Sequence, residues 1–146
     1  MTVIQKTAYA PYLPAKMYAL VNDIEHYPEF LPGCRSTEVY SRTEEEIRAR
    51  IEFAKAGVSY AFSTLNRLYL NERIELSLLE GPFRQLQGHW VFTAEGEGGC
   101  RIDFKLEFEF INRLMDKIAG PALQGITDKF VDAFCKRAEA LYGSKM

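Results

Sequence analysis

CRIDFKLEFEF, residues 100 to 110, sets Ile102, Phe104, Leu106, Phe108 and Phe110 against Arg101, Asp103, Lys105, Glu107 and Glu109. Apolar and charged residues alternating with a period of two mark an antiparallel strand with one face on a core and the other in water. The same period recurs upstream. Ile74, Leu76 and Leu78 alternate with Glu75 and Ser77, and Val58, Tyr60 and Phe62 alternate with Ser59, Ala61 and Ser63. Ile47, Ala49, Ile51 and Phe53 alternate with Arg48, Arg50 and Glu52. Gly57, Asn71-Glu72, Gly81-Pro82 and the run Glu95 to Gly99 supply turn residues between these segments. Six strands joined by hairpins are therefore expected from Cys34 to Phe110.

The flanks read differently. Thr2 to Ala10 carries the β-formers Val3, Ile4, Thr7 and Tyr9 and predicts a first strand. Pro14 suits the first turn of a helix, and Met17, Leu20 and Val21 continue it at helical spacing to about Asn22. Ile24 to Leu31 predicts a second, shorter helix, interrupted at Tyr27-Pro28 and stopped by Pro32-Gly33. From Arg113 to Tyr142 helical spacing returns in Leu114, Ile118, Ala122, Ile126, Phe130, Phe134, Ala138 and Leu141. Gly120-Pro121 should kink this long helix or split it in two, because proline removes a backbone donor and crowds the preceding turn. A break there would let residues 112–125 act as a lid. The order of elements predicts one α+β domain over residues 1–146. A curved antiparallel sheet of about seven strands would wrap around a long C-terminal helix, with two short helices after the first strand.

Composition narrows the function. The 146 residues are 47% hydrophobic and 13% aromatic with a formal net charge of −2, a globular profile that is not held to nucleic acid by overall charge. Cys34, Cys100 and Cys135 are scattered, with no disulfide framework or metal-ligand spacing. The start MTVIQKTAYAPYLP lacks the pattern of a signal peptide, and no apolar run nears the roughly 20 residues of a spanning helix. A soluble cytoplasmic protein is expected. His26 and His89 have no HExxH context, and no GxSxG or P-loop is present. Cys34 at its turn reads either as a nucleophile or as a small residue opening a strand. No catalytic residue, metal site or required cofactor is expected.

The aromatic residues remain. They either fill a core or line a cavity, and a curved sheet gripped by one helix leaves more room than the helix fills. The inward strand positions Phe53, Tyr60, Phe62, Leu78, Trp90, Phe92, Phe104 and Phe108 would line such a cavity, with Ile118, Leu123, Ile126 and Phe130 from the helix. On the solvent side, Arg48, Arg50, Arg67 and Arg73 read as a basic patch or, with Glu46, Glu52, Glu72 and Glu75 among them, as an ordinary mixed surface.

VNDIEHYPEFLPGC (Val21 to Cys34), FAKAGVSYAFSTLNRL (Phe53 to Leu68), LEGPFRQLQGHWVFT (Leu79 to Thr93) and CRIDFKLEFEFINRLMD (Cys100 to Asp116) resemble the coenzyme Q-binding START-like family, within the polyketide cyclase superfamily. The resemblance runs from about Ile4 to Tyr142 and is greatest to the family's bacterial branch. It implies the helix-grip fold and a cavity for ubiquinone or a related polyisoprenoid lipid, supporting respiratory quinone function. For the bacterial branch it implies binding to the large ribosomal subunit, blocking subunit association and so translation initiation. It places Tyr27, Phe30, Leu31 and Pro32 near the cavity, together with Phe83, Trp90 and Phe92. Where some quinone-binding members carry a bulky aromatic, this chain has Gly33. The expected partners are a hydrophobic small molecule, the large ribosomal subunit and, transiently, a membrane. An enzyme of the polyketide cyclase or aromatase type shares the fold, and fold alone does not carry function.

Overall fold

The computed structural model describes residues 1–55 and 57–143. Strand β1 (Thr2–Ala10) leads into α1 (Pro14–Asn22) and a short 3-10 helix (Ile24–Glu29). Six strands follow in succession: β2 (Cys34–Arg42), β3 (Glu46–Lys55), β4 (Val58–Tyr69), β5 (Arg73–Glu80), β6 (Phe83–Glu95) and β7 (Gly99–Phe110). Two helices close the chain, α2 (Arg113–Thr127) and α3 (Phe130–Tyr142).

All seven strands form one antiparallel sheet in the order β1-β7-β6-β5-β4-β3-β2. The sheet is an unbroken meander from β2 to β7, with the first strand returning to pair with the last. Its inner face is the apolar parity: in β7 every even position from Cys100 to Phe110 is buried, while Arg101, Asp103, Lys105, Glu107 and Glu109 face outward. Ile47, Ala49 and Phe53 of β3, Tyr60 and Phe62 of β4, Ile74 of β5 and Trp90 and Phe92 of β6 share that inner face and are buried. Register shifts between Cys34 and Ser36, Val39 and Ser41, Ser63 and Thr64, and Phe83 and Gln85 give the sheet local bends.

The second short helix is a single 3-10 segment, because Pro28 lies inside it and offers no donor for α-helical bonding. The C-terminal helix departs from expectation at one point. It runs unbroken through Gly120-Pro121 and breaks instead at Asp128-Lys129. Pro121 and Lys117 are both exposed, so the carbonyl that proline leaves without a donor is on a side open to water. The break has its own closure. Thr127 Oγ1 donates to Leu123 O at 2.9 Å, the Asp128 amide donates to Gln124 O, and Lys6 Nζ lies 3.0 Å from Asp128 Oδ1. At the other end of α2, Asn112 Oδ1 accepts from the Met115 amide at 2.8 Å, the capping expected of asparagine.

Ala119, Leu123 and Ile126 form the buried stripe of α2, and Val131, Phe134 and Ala138 that of α3. Both stripes face the concave side of the sheet. Among the described residues no helix is long and apolar enough to cross a membrane.

Candidate functional site

Between the concave face, the 3-10 helix and the α2–α3 break lies an internal cavity. Its floor is Phe53, Phe62, Ile74, Trp90, Phe104 and neighbouring sheet residues, and its roof is Tyr27, Thr127, Phe130 and Phe134. Six expected site residues meet there: Tyr27, Phe53, Phe62, Trp90, Phe104 and Phe130. The rings interlock. Trp90 lies 4.3 Å from Phe104 and meets Phe134 edge-on at 5.2 Å, while Phe130 packs on Phe53 at 5.8 Å and on Phe104 at 6.0 Å, all between ring centres.

Other expected residues lie elsewhere. Phe83, Phe108 and Tyr60 do not line the cavity but continue its ring network, Phe83 meeting the cavity residue Phe62 edge-on at 5.2 Å and stacking on Phe110 at 4.5 Å. Leu31, Phe92, Leu123 and Ile126 are plain core. Leu78 is half-buried, beyond the stretch where β5 pairs with β6. Phe30 and Pro32 line an outer groove with Lys136 and Arg137, the Arg137 guanidinium lying over the Phe30 ring at 4.9 Å. Ile118 is corrected outright: it is 56% exposed, because the inward stripe of α2 runs through Ala119 and Leu123, one residue along.

The cavity is narrow. The centre of a water-sized sphere has about 60 Å³ in which to move. That is room for about four waters, against about 300 Å³ or more for a site that encloses a drug-sized ligand. The hollow expected from the sequence exists, but as it stands it is too small for a polyisoprenoid tail.

Its polarity is also specific. Thr64 and Asn66, successive inward positions of β4, line the cavity and are only 6% and 7% exposed. Thr64 Oγ1 donates to Asn66 Oδ1 at 2.8 Å. Sequence reading missed both, because polar residues ended the apolar run at Phe62, although their parity continues it. Among the described residues no Asp, Glu, Lys, Arg or His lines the cavity. The Tyr27 hydroxyl is engaged by Val21 O, and burial pushes the phenol up, away from any acid–base role near neutrality.

Outside the cavity, burial pushes the Cys34 thiol up to about 11, the wrong direction for a nucleophile. His26 is exposed and raised by its 2.8 Å hydrogen bond to Asp23, and His89 is lowered by desolvation. Among the described residues no cluster of His, Cys, Asp or Glu could hold a metal ion. Gly33 has a positive φ of 76° and abuts Ile126, so this packing has no room for an aromatic at that position.

On the convex face Arg48 pairs with Glu46 at 3.4 Å and Arg73 with Glu75 at 2.9 Å, which makes the surface a mixed one. An open groove crosses it, lined by Arg67, Arg73, Gln87, His89 and Lys105 together with Glu75 and Glu107.

Comparison with known proteins agrees with this geometry. A protein of Pseudomonas aeruginosa named Ribosome association toxin RatA is 41% identical over 142 residues, 97% of this chain and 99% of its own. The mitochondrial Coenzyme Q-binding protein coq10 of Schizosaccharomyces pombe is 24% identical over 141 residues, 88% of this chain and 82% of its own. A solved START superfamily protein from Mycobacterium smegmatis shares the fold, with a TM-score of 0.74 at 20% identity, covering 95% of this chain and 98% of its own. The family model described as polyketide cyclase / dehydrase and lipid transport matches residues 10–135. The seven-stranded curved sheet, its gripping C-terminal helices and this match together make the chain a member of that polyketide cyclase / dehydrase and lipid transport family.

Proposed function

We propose that the protein is a binding module for a small hydrophobic molecule of the quinone or isoprenoid class, held between the concave sheet and the α2–α3 break. The observation that carries this reading is the aromatic cavity with an uncharged lining and two buried polar side chains. Apolar burial stabilises by about 25 cal/mol per Å², so a ligand tail needs little beyond packing. With no side chain in the lining suited to proton transfer near neutrality, we read the site as binding rather than catalytic.

Because the closed cavity is small, uptake requires α2 to swing outward. The break at Asp128-Lys129 and the extended Asn112 ahead of α2 are the points at which the backbone leaves helical geometry, and they serve as hinges. Ile111, Leu114 and Ile118 stand exposed on the outside of α2 beside Arg113 and Lys117, a face suited to brief contact with a lipid surface during exchange. Native mass spectrometry after incubation with decylubiquinone tests the module: a one-to-one adduct is expected, and apo protein at saturating ligand would end the proposal.

A second reading concerns the outer surface. Identity of 41% across nearly the whole chain to a protein named for ribosome association favours large-subunit binding, which would act in the cytoplasm. The convex groove with Arg67, Arg73 and Lys105 offers cations for phosphate contact. The two readings use opposite faces of one sheet and are compatible. Co-sedimentation with purified 50S particles tests the second, and protein left wholly in the supernatant would exclude it.

A further inference from the structure

Asn66 Oδ1 is already occupied by the Thr64 hydroxyl. The other half of the same amide, Nδ2 with its two protons, makes no hydrogen bond among the described residues, although Asn66 is nine-tenths buried and lines the cavity. The indole N–H of Trp90, on the same lining, likewise donates to nothing among the described residues. Thr127 spends its hydroxyl proton on Leu123 O, and Tyr27 spends its own on Val21 O. Thr64, Thr127 and Tyr27 keep acceptor lone pairs but no free proton, so the protons left for a ligand are those of Asn66 and Trp90, in a lining with no charged side chain among the described residues.

We infer that Asn66, held by its hydrogen bond with Thr64, is the specificity-determining residue of the cavity, and that it selects uncharged ligands bearing an oxygen acceptor, such as a ring carbonyl or ether. This deepens the binding reading above and rests on it. A cavity-facing donor left unpaired once a ligand displaces water carries a desolvation cost, so a pure hydrocarbon of the same shape binds less well than one that offers an acceptor. A carboxylate is rejected for a different reason. It would enter a low-dielectric slot that supplies no counter-charge. Fatty acids and phospholipid headgroups are therefore poor ligands, and carbonyl-bearing rings on apolar tails are good ones.

Thr64 acts through Asn66. Without its hydroxyl, the Asn66 amide loses the hydrogen bond that holds it to its own strand. The pair begins at the Ser63/Thr64 register shift in the β4–β5 pairing.

Trp90 is the sole tryptophan and lines the site, so its emission reports occupancy. Decylubiquinone is titrated by quenching, and n-decylbenzene and decanoate at pH 8 are measured by competition against it. Wild-type protein is expected to prefer the quinone to the hydrocarbon by about tenfold, the worth of one good hydrogen bond, and to bind decanoate more weakly than either. Asn66→Leu should bring the quinone-to-hydrocarbon ratio close to one while n-decylbenzene still binds. Thr64→Val, which keeps the side chain's shape and decides the matter if Asn66→Leu does not fold, should reduce the same ratio part of the way. A ratio unchanged in the folded variants, or decanoate binding as tightly as the quinone, overturns the inference and leaves the binding module standing. If neither neutral ligand binds wild-type protein, the binding reading fails, and the inference with it.

Discussion

Gly33 and Ile126 are packed so closely that a Cβ built on Gly33 would lie 2.8 Å from Ile126 Cδ1. The contact joins the turn before β2 to the last turn of α2, at the edge of the cavity roof. Gly33→Ala combines a left-handed backbone conformation with this overlap and is expected to destabilise by about 2 kcal/mol or more. Urea denaturation measures it. The double variant with Ile126→Ala should recover only the steric share, since φ at position 33 remains positive. A Gly33→Ala protein as stable as wild type would show that the turn can re-form elsewhere.

Pro121 sits inside α2 without breaking it. If it is a tolerated passenger and not the hinge, Pro121→Ala should restore a helical hydrogen bond and raise stability by about 1–3 kcal/mol. Ligand uptake rates in stopped-flow measurements should stay the same. Slowed uptake in this variant would return the hinge to Gly120-Pro121.

Cys34 gives a pH signature. Burial favours the neutral thiol, raising it from 9.0 to about 11 in the folded protein. The folded state therefore keeps a proton that the unfolded chain gives up. This contribution to stability is fully present below pH 9.0 and is lost as pH rises towards about 11. Iodoacetamide labelling followed by peptide mapping should find Cys34 unmodified in native protein at pH 8 and labelled in urea. Rapid native labelling at pH 8 would contradict the burial.

The outer groove makes a separable prediction. Arg67→Glu with Arg73→Glu should weaken co-sedimentation with 50S particles at least tenfold, and wild-type binding should fall steeply with added salt, as phosphate contacts do. Decylubiquinone binding should not change, because neither side chain lines the cavity. Ribosome binding unaffected by both reversals would remove this groove from the interaction.

The sheet was legible because its signal is local. Each strand from β3 to β7 carries its own alternation, and glycines or Asn71 mark the turns between them. The helix was harder. Leu114 and Ile118 are apolar at the right spacing, yet both face solvent; the buried stripe begins at Ala119, whose small side chain gives little signal in a sequence. The break was misplaced because proline is the strongest mark in the sequence, whereas Thr127 and Asp128 stop α2 through bonds to Leu123, Gln124 and Lys6. Of the cavity lining, Tyr27, Phe53, Phe62, Trp90, Phe104 and Phe130 were legible and the polar pair was not. Thr64 and Asn66 read as the frayed end of a strand until the neighbouring strands and helices enclose them.

The seating of β1 beside β7 also sets a timetable for biosynthesis. Thr2 must find Phe108, so β1 waits for a partner made roughly a hundred residues later. Until then the meander from β2 onward can assemble by neighbour-to-neighbour zipping while the edge of β7 stays open. Closure comes last and is the step at which a nascent chain is most exposed to pairing with the wrong strand.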